Sequence, residues 1–214
     1  MIRIILVRHG ETKWNIEGRY QGQEDTELSE RGLEQGHKLA EGLRHVPLDR
    51  CISSPLQRSY QTAKFCADLH GLAVATDDRL EEINHGDWEG RLAGDIMDHY
   101  PVEYAQWHKT PAVVTMPGPG GESLEDVRRR VRAAFDDYAR LYDGETVLVA
   151  AHDAVNKAII CDLMGSGMSH FWQVKQDNTC INVLECQAGV WRLVLLNSTL
   201  HMGYLFSGIE QKGL

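Results

Sequence analysis

Short apolar runs punctuate the chain: Ile4 to Val7, RCIS from Arg50 to Ser53, LAVAT from Leu72 to Thr76, and TVLVAAH from Thr146. The first and last lack polar alternation, which is how a strand covered on both faces of a parallel sheet reads. Helical patterns lie between them. Ser29 has N-cap chemistry, with Leu28 and Leu33 placed as a hydrophobic staple, and predicts a helix over about residues 30–44. SPLQRSYQTAKFCADLHG predicts a second helix that opens near Pro55 and stops at Gly71. Ser123 and Asp126 form a capping-box pattern, and Val127, Val131, Ala134, Phe135, Tyr138 and Leu141 share one face of the helix that follows. Another helix is predicted over about residues 154–164, closed by Gly165, and two β-rich runs around Gln187, Ala188 and Gly189 predict a final hairpin. Residues 81–121 carry Gly, Pro and the aromatics Trp88, Tyr100, Tyr104 and Trp107, and read as an irregular, lid-like insertion with a packed aromatic interior. Alternating strands and helices predict an α/β fold, a three-layer α/β/α arrangement with a mostly parallel central sheet, as one domain over residues 1–214.

Composition narrows the partners. The 214 residues are 43% hydrophobic and 25% charged, and no apolar run approaches the length of a membrane span. MIRIILVRHG is too short and too quickly charged for a signal peptide. A formal charge of -9 argues against nucleic acid or an anionic membrane, so an anionic ligand has to be drawn by a local cationic pocket. Cys51, Cys66, Cys161, Cys180 and Cys186 are odd in number and contain no CxxC pair, which fits reduced thiols and a cytoplasmic protein.

Three strand ends carry one kind of cargo. Arg8 and His9 follow IILV, Arg58 comes one helical turn after CISSP, and His152 follows TVLVAA. In an open α/β sheet the carboxyl ends of the strands form one rim, so these four residues are expected to converge there. Helix N-termini on the same rim would add oriented N–H groups for an anion. Guanidinium forks suit phosphoryl oxygens, and a histidine with one ring nitrogen held by a carbonyl can take the phosphoryl group on the other. Ten histidines show no HExxH or comparable ligand spacing, so no metal or other cofactor is expected. The run Arg128-Arg129-Arg130-Val131-Arg132 reads as the solvated face of its helix.

LVRHGETKWNIEGRYQG, SSPLQRSYQTA, EEINHGDWEG, GGES and AHDAVNKAI stand in the order and approximate spacing of the histidine phosphatase superfamily. Nearly the whole chain resembles its phosphoglycerate mutase-like branch. The resemblance implies that His9 is the nucleophile, that Arg8, Arg58 and His152 complete the phosphate pocket, and that Glu82 is the proton donor and later the base that activates water. Asn15, Gln21 and Gly22 match positions that line this pocket. EINHGDWEG and LNSTLHMG look most like the metal-independent phosphoserine phosphatases, which places His85 and His201 at positions that select substrate. The family most often has Gly where Asp153 stands, so Asp153 is expected either in the helix cap or facing a substrate amine. True mutases of the family carry longer insertions after the proton-donor region, which this chain lacks. The resemblance therefore implies a phosphomonoester hydrolase acting on a small phosphorylated metabolite, with L-phosphoserine as a candidate. Alternatives are a phosphoglycerate mutase, a sugar-phosphate or broad-specificity phosphatase, and a non-catalytic binder of phosphorylated ligands. A homodimer is implied at family level, through edge strands near Cys180 to Glu185.

Overall fold

The structure, a computed structural model, describes residues 1–205 and 207. In chain order the main elements are β1 (Ile2–Arg8), α1 (Lys13–Glu17), α2 (Glu30–Leu43), β2 (Arg50–Ser53), α3 (Gln57–His70), β3 (Val74–Thr76), α4 (Ala93–His99), α5 (Pro101–Lys109), α6 (Leu124–Leu141), β4 (Thr146–Ala151), α7 (Asp153–Leu163), β5 (Ile181–Gln187) and β6 (Val190–Ser198). The six strands form one sheet in the order β3-β2-β4-β1-β5-β6. The pairs β1·β4, β2·β4 and β2·β3 are parallel, whereas β5 runs antiparallel to both β1 and β6.

Strand alternation sorts the core into two layers, because successive side chains leave opposite faces of a sheet. Ile4, Leu6, Val147 and Val149 join Val127, Val131, Phe135, Val155 and Ile159 of α6 and α7. Ile5, Val7, Leu148 and Ala150 join Leu39, Leu43, Ala63 and Ala67 of α2 and α3 on the other face. The expected caps are present: the Ser29 hydroxyl accepts from Gly32 N, and Ser123 and Asp126 close a full capping box. All five cysteines are free and buried.

Two expectations change. Residues 81–121 are not irregular throughout, since α4 and α5 occupy their middle. Each of these short helices buries one anchor, Ile96 and Trp107, so neither leaves the repeated 3.6-residue apolar pattern that marks a longer helix. The stretch from Cys180 to Glu185 is not at the sheet edge, because β5 pairs on both sides; the edges are β3 and β6. Among the described residues no helix is long and apolar enough to cross a membrane.

Candidate active site

β1 and β4 lie side by side in register, Arg8 opposite Ala151, so the residues that follow them leave the sheet together. His9 N donates to Ala151 O at 3.0 Å, which extends the pairing by one residue. Thr179 N and Asn178 Nδ2 donate to the carbonyl of His9, holding it from a third side. The turn continues at Gly10, whose N–H donates to Thr62 Oγ1 at 3.0 Å. A Cβ at Gly10 would stand 2.7 Å from Gly32 O, so only glycine permits this approach to α2.

The backbone fixes the His9 tautomer. Its Nδ1 lies 2.7 Å from Gly10 O, and because a carbonyl only accepts, Nδ1 carries the hydrogen and Nε2 keeps its lone pair. Burial, then the positive fields of Arg58 and Arg8, holds the imidazole well below the usual histidine range. The ring is therefore neutral, as a nucleophile must be. His152, the N-cap residue of α7, sits with its ring centroid 5.2 Å from that of His9. Its Nε2 meets Ser54 Oγ at 2.8 Å and its buried Nδ1 has no protein partner among the described residues.

Two buried guanidinium groups frame these rings. Arg58, in the first turn of α3, donates from Nη2 to Gly22 O at 2.7 Å and from Nη1 to Glu24 O at 2.8 Å. Burial lowers its pKa to about 10, which still leaves it charged at neutral pH. Gly22 adopts φ +52°, and a Cβ there would collide with the Glu89 carboxylate, which receives N–H groups from Gln23 and His85. Arg8 donates from Nη1 to Gln176 O at 2.6 Å. The Nε atoms of both arginines are buried without a protein partner among the described residues. Buried donors of this kind are satisfied when an anion arrives.

Glu82 enters from the loop before α4 and is 2% exposed. Its Oε1 accepts from Ile83 N at 2.9 Å and its Oε2 from Ala154 N at 3.3 Å, which ties it to the start of α7. Burial and then the negative charge of Asp153 raise its pKa above the usual carboxylate range, against the opposing pull of those N–H groups and Arg58. Its carbonyl is held by Arg130 Nη2 at 3.0 Å and Gln23 Nε2 at 3.1 Å.

The remaining predicted residues fall into three settings. Asn15 and Gln21 shape the loop after β1: Asn15 closes a capping box with Thr12, and Gln21 Oε1 accepts from Thr12 Oγ1 and Thr26 Oγ1. His85 is fully buried against Tyr20, Trp88 and Trp107, with Nδ1 3.4 Å from Met116 Sδ and Nε2 unpartnered among the described residues. Burial pushes its pKa down to about 3, so it is a neutral wall. His201 is not brought into the pocket. It packs over Gly42 of α2, and its Nε2 meets Thr179 Oγ1 at 3.3 Å, one residue layer behind His9. The end of the tail, Phe206 and residues 208–214, lies outside the described residues. Asp153 is not a cap, since α7 has no side-chain cap and Asp153 is its first helical residue. It turns instead to Arg8 Nη1, 3.5 Å away, and to Lys157 Nζ, 2.7 Å away.

Arg130, Gln176, Asn178 and Ser54 also build the site and were not anticipated. Arg130 is only 19% exposed at its side chain and does not belong to a solvated face; it gathers the carbonyls of Arg79, Glu81 and Glu82 and pairs with Glu122. A signal existed: Arg130 falls three residues after Val127 and four before Ala134, so its stem runs along the apolar stripe.

With this geometry in place, comparison with known proteins gives one answer. A family description of the histidine phosphatase superfamily, branch 1, matches residues 4–199. Phosphoserine phosphatase 1 of Hydrogenobacter thermophilus is 38% identical over 206 residues, covering 96% of this chain and 97% of that protein. A Yersinia pestis protein named probable phosphoglycerate mutase GpmB is 35% identical over 193 residues, 89% of this chain and 88% of its own length. Among solved structures, a histidine-to-alanine mutant of phosphoserine phosphatase from Entamoeba histolytica, in complex with phosphoserine, has a TM-score of 0.83 at 26% identity, covering 94% of this chain and all of that one. The chain belongs to the histidine phosphatase superfamily.

Proposed function

We propose that this phosphatase hydrolyses a small phosphomonoester, with L-phosphoserine as its substrate, through a phosphohistidine on His9. One observation carries the reading: a neutral His9, its Nδ1 hydrogen held by Gly10 O and its Nε2 lone pair free, lies in the field of two buried arginines, and one of them, Arg58, also acts on the Glu82 carboxyl, whose proton is favoured. His9 Nε2 attacks phosphorus while the phosphorus–oxygen bond to the leaving group breaks, and Glu82 gives its proton to the departing alkoxide. Arg8, Arg58 and His152 hold the phosphoryl oxygens during transfer. Water then attacks the phosphohistidine, Glu82 takes its proton, the phosphorus–nitrogen bond breaks, and inorganic phosphate leaves with His9 neutral again. Asn15, Gln21 and Gly22 shape the loop that closes on the phosphate, and the aromatic wall around His85 faces the leaving group.

The serine ester is supported by the phosphoserine phosphatases among the relatives and solved neighbours. The buried free thiols support a cytoplasmic setting, and the net charge of -9 supports a metabolite rather than nucleic acid or a membrane as partner. A homodimer is supported by the outer edge of β6, which has no strand partner among the described residues, with Val190, Val194 and Leu196 exposed on that strand.

The test is phosphate release from L-phosphoserine, 3-phosphoglycerate and p-nitrophenyl phosphate by wild type and His9→Ala, with acid-labile phosphohistidine trapped in parallel. Expected are the highest kcat/KM on phosphoserine, a trapped adduct in wild type, and loss of both in the variant by about four orders of magnitude or more. Equal rates in the two proteins would remove His9 as nucleophile. Interconversion of 2- and 3-phosphoglycerate without phosphate release would make the chain a mutase.

A further inference from the structure

Behind Arg8 lies a buried relay that the reaction sequence above does not use. Arg8 Nη1 stands 3.5 Å from Asp153 Oδ1, and Asp153 Oδ2 stands 2.7 Å from Lys157 Nζ, one turn further along α7. The side chains of all three are at most 3% exposed. Lys157 Nζ sits 5.0 Å from the Phe171 ring centroid and 4.8 Å from that of Trp172. Trp172 Nε1 in turn donates to Trp107 O at 2.6 Å, and the Trp107 ring meets His85 edge-on. A contact path thus runs from the aromatic wall, through a caged ammonium, to a phosphate-facing guanidinium.

An aspartate this close to a phosphate pocket repels the substrate unless it does something else there. We propose that Asp153 and Lys157 are positioning residues: the Asp153 carboxylate aims the Arg8 fork and sets the charge beside the Glu82 carboxyl, whose Oε2 is held at 3.3 Å by the N–H of the adjoining Ala154, and Lys157 fixes the carboxylate from behind. The proposal rests on the phosphohistidine reading of the site. Asp153 is a leading source of negative field at Glu82, second only to burial in favouring its protonated form. Arg58 of α3 acts the opposite way, and Arg130 of α6, paired with Glu122, reaches the Glu82 carbonyl at 3.0 Å. Around Asp153 itself stand Arg8 of β1, Lys157 of α7, Glu82, His85 of the wall and the Cys180 thiol. A glycine at position 153 would supply neither the aim nor the field.

Leaving-group chemistry makes this testable. Loss of an alkoxide from phosphoserine needs a proton from Glu82, whereas p-nitrophenolate departs without one. The measurement is kcat/KM against pH on both substrates for wild type, Asp153→Asn, Lys157→Met and the double variant, with melting temperatures to show folding. Asp153→Asn is expected to lose about tenfold more activity on phosphoserine than on p-nitrophenyl phosphate and to move the basic limb of the phosphoserine profile down by about one pH unit. Lys157→Met keeps the carboxylate and moves the limb to higher pH. If Asp153→Asn does not fold with the lysine left unpaired, the double variant reads a smaller downward shift, since losing Lys157 acts the other way and Asp153 is the charge that acts on Glu82. Equal losses on the two substrates with an unmoved limb, in any folded variant lacking Asp153, would reduce the pair to a structural ion bridge. Failure of wild type to turn over either substrate would instead strike the phosphohistidine reading.

Discussion

The strand-end rim and the wall built by residues 81–121 meet at one candidate site, yet they are made differently. On the rim, His9, Arg8 and Arg58 are positioned by backbone carbonyls of Gly10, Gln176, Gly22 and Glu24, and His9 extends the β1–β4 ladder itself. On the wall, Glu82 hangs from two backbone N–H groups, with Arg130 and Gln23 holding its carbonyl, and His85 is boxed by aromatic rings. Under the proposed function the rim's backbone-held cations meet what all phosphomonoesters share, and the wall's carboxyl and aromatic rings meet what differs between them, the leaving group.

Substitutions should divide along that line. Arg58→Gln removes one fork of charge stabilisation on the rim, so kcat/KM is expected to fall about a thousandfold on phosphoserine and on p-nitrophenyl phosphate alike. A loss confined to one substrate would show that Arg58 belongs with the wall. Glu82→Gln should cost about 10²–10³-fold in kcat/KM on phosphoserine but less than about tenfold in kcat/KM on p-nitrophenyl phosphate, since kcat/KM reports transfer to His9 and that leaving group needs no proton. Parallel losses would place Glu82 with the rim. Arg130→Met releases three carbonyls that set the Glu82 loop. Displacement of a positioned group by under an ångström is expected to lower kcat on phosphoserine about tenfold with KM changed less than about twofold. Steady-state kinetics with the same two esters would check this, and a change in KM alone would mean that Arg130 acts on binding rather than on the proton donor.

The same division explains what could be read from the chain. The strands that deliver the rim announce themselves as unbroken apolar runs, and a charged or imidazole residue just past each run is legible as rim chemistry. Helices α2, α3, α6 and α7 were equally visible, through caps at Ser29 and Ser123 and stops at Gly71 and Gly165. The wall was opaque because α4 and α5 are too short to show a period. Family resemblance, not periodicity, pointed to Glu82 and His85. Arg130 was hidden within a run of arginines, and Gln176 acts through its backbone carbonyl, which any residue carries. Asp153 looked like a cap because it opens a helix, whereas tertiary packing turns its carboxylate to Arg8 and Lys157.

Protonation offers the finest cut between the two regions. His9 and His152 on the rim and His85 on the wall all have pKa values lowered first by burial, so the folded protein keeps three neutral imidazoles. In the unfolded chain each titrates near 6.5, so as pH falls below that value the unfolded state gains protons that the folded state refuses, and stability is lost. Glu82 works in the opposite sense: its folded pKa is raised, so stability grows as pH falls through that raised value toward 4.5. His201, lowered by burial to about 4, adds to the three, while Glu81 and Glu89 are raised like Glu82; each unfolded histidine is largely protonated between pH 6 and pH 5, so the histidines prevail there and stability falls. Urea denaturation at pH 7, 6 and 5 reads this slope directly. His85→Phe should flatten it by about 1 kcal/mol per pH unit while leaving inhibition by inorganic phosphate unchanged, since His85 lies on the wall. An unaltered slope would mean that His85 is protonated in the fold, and the wall would then carry a charge of its own beside the leaving group.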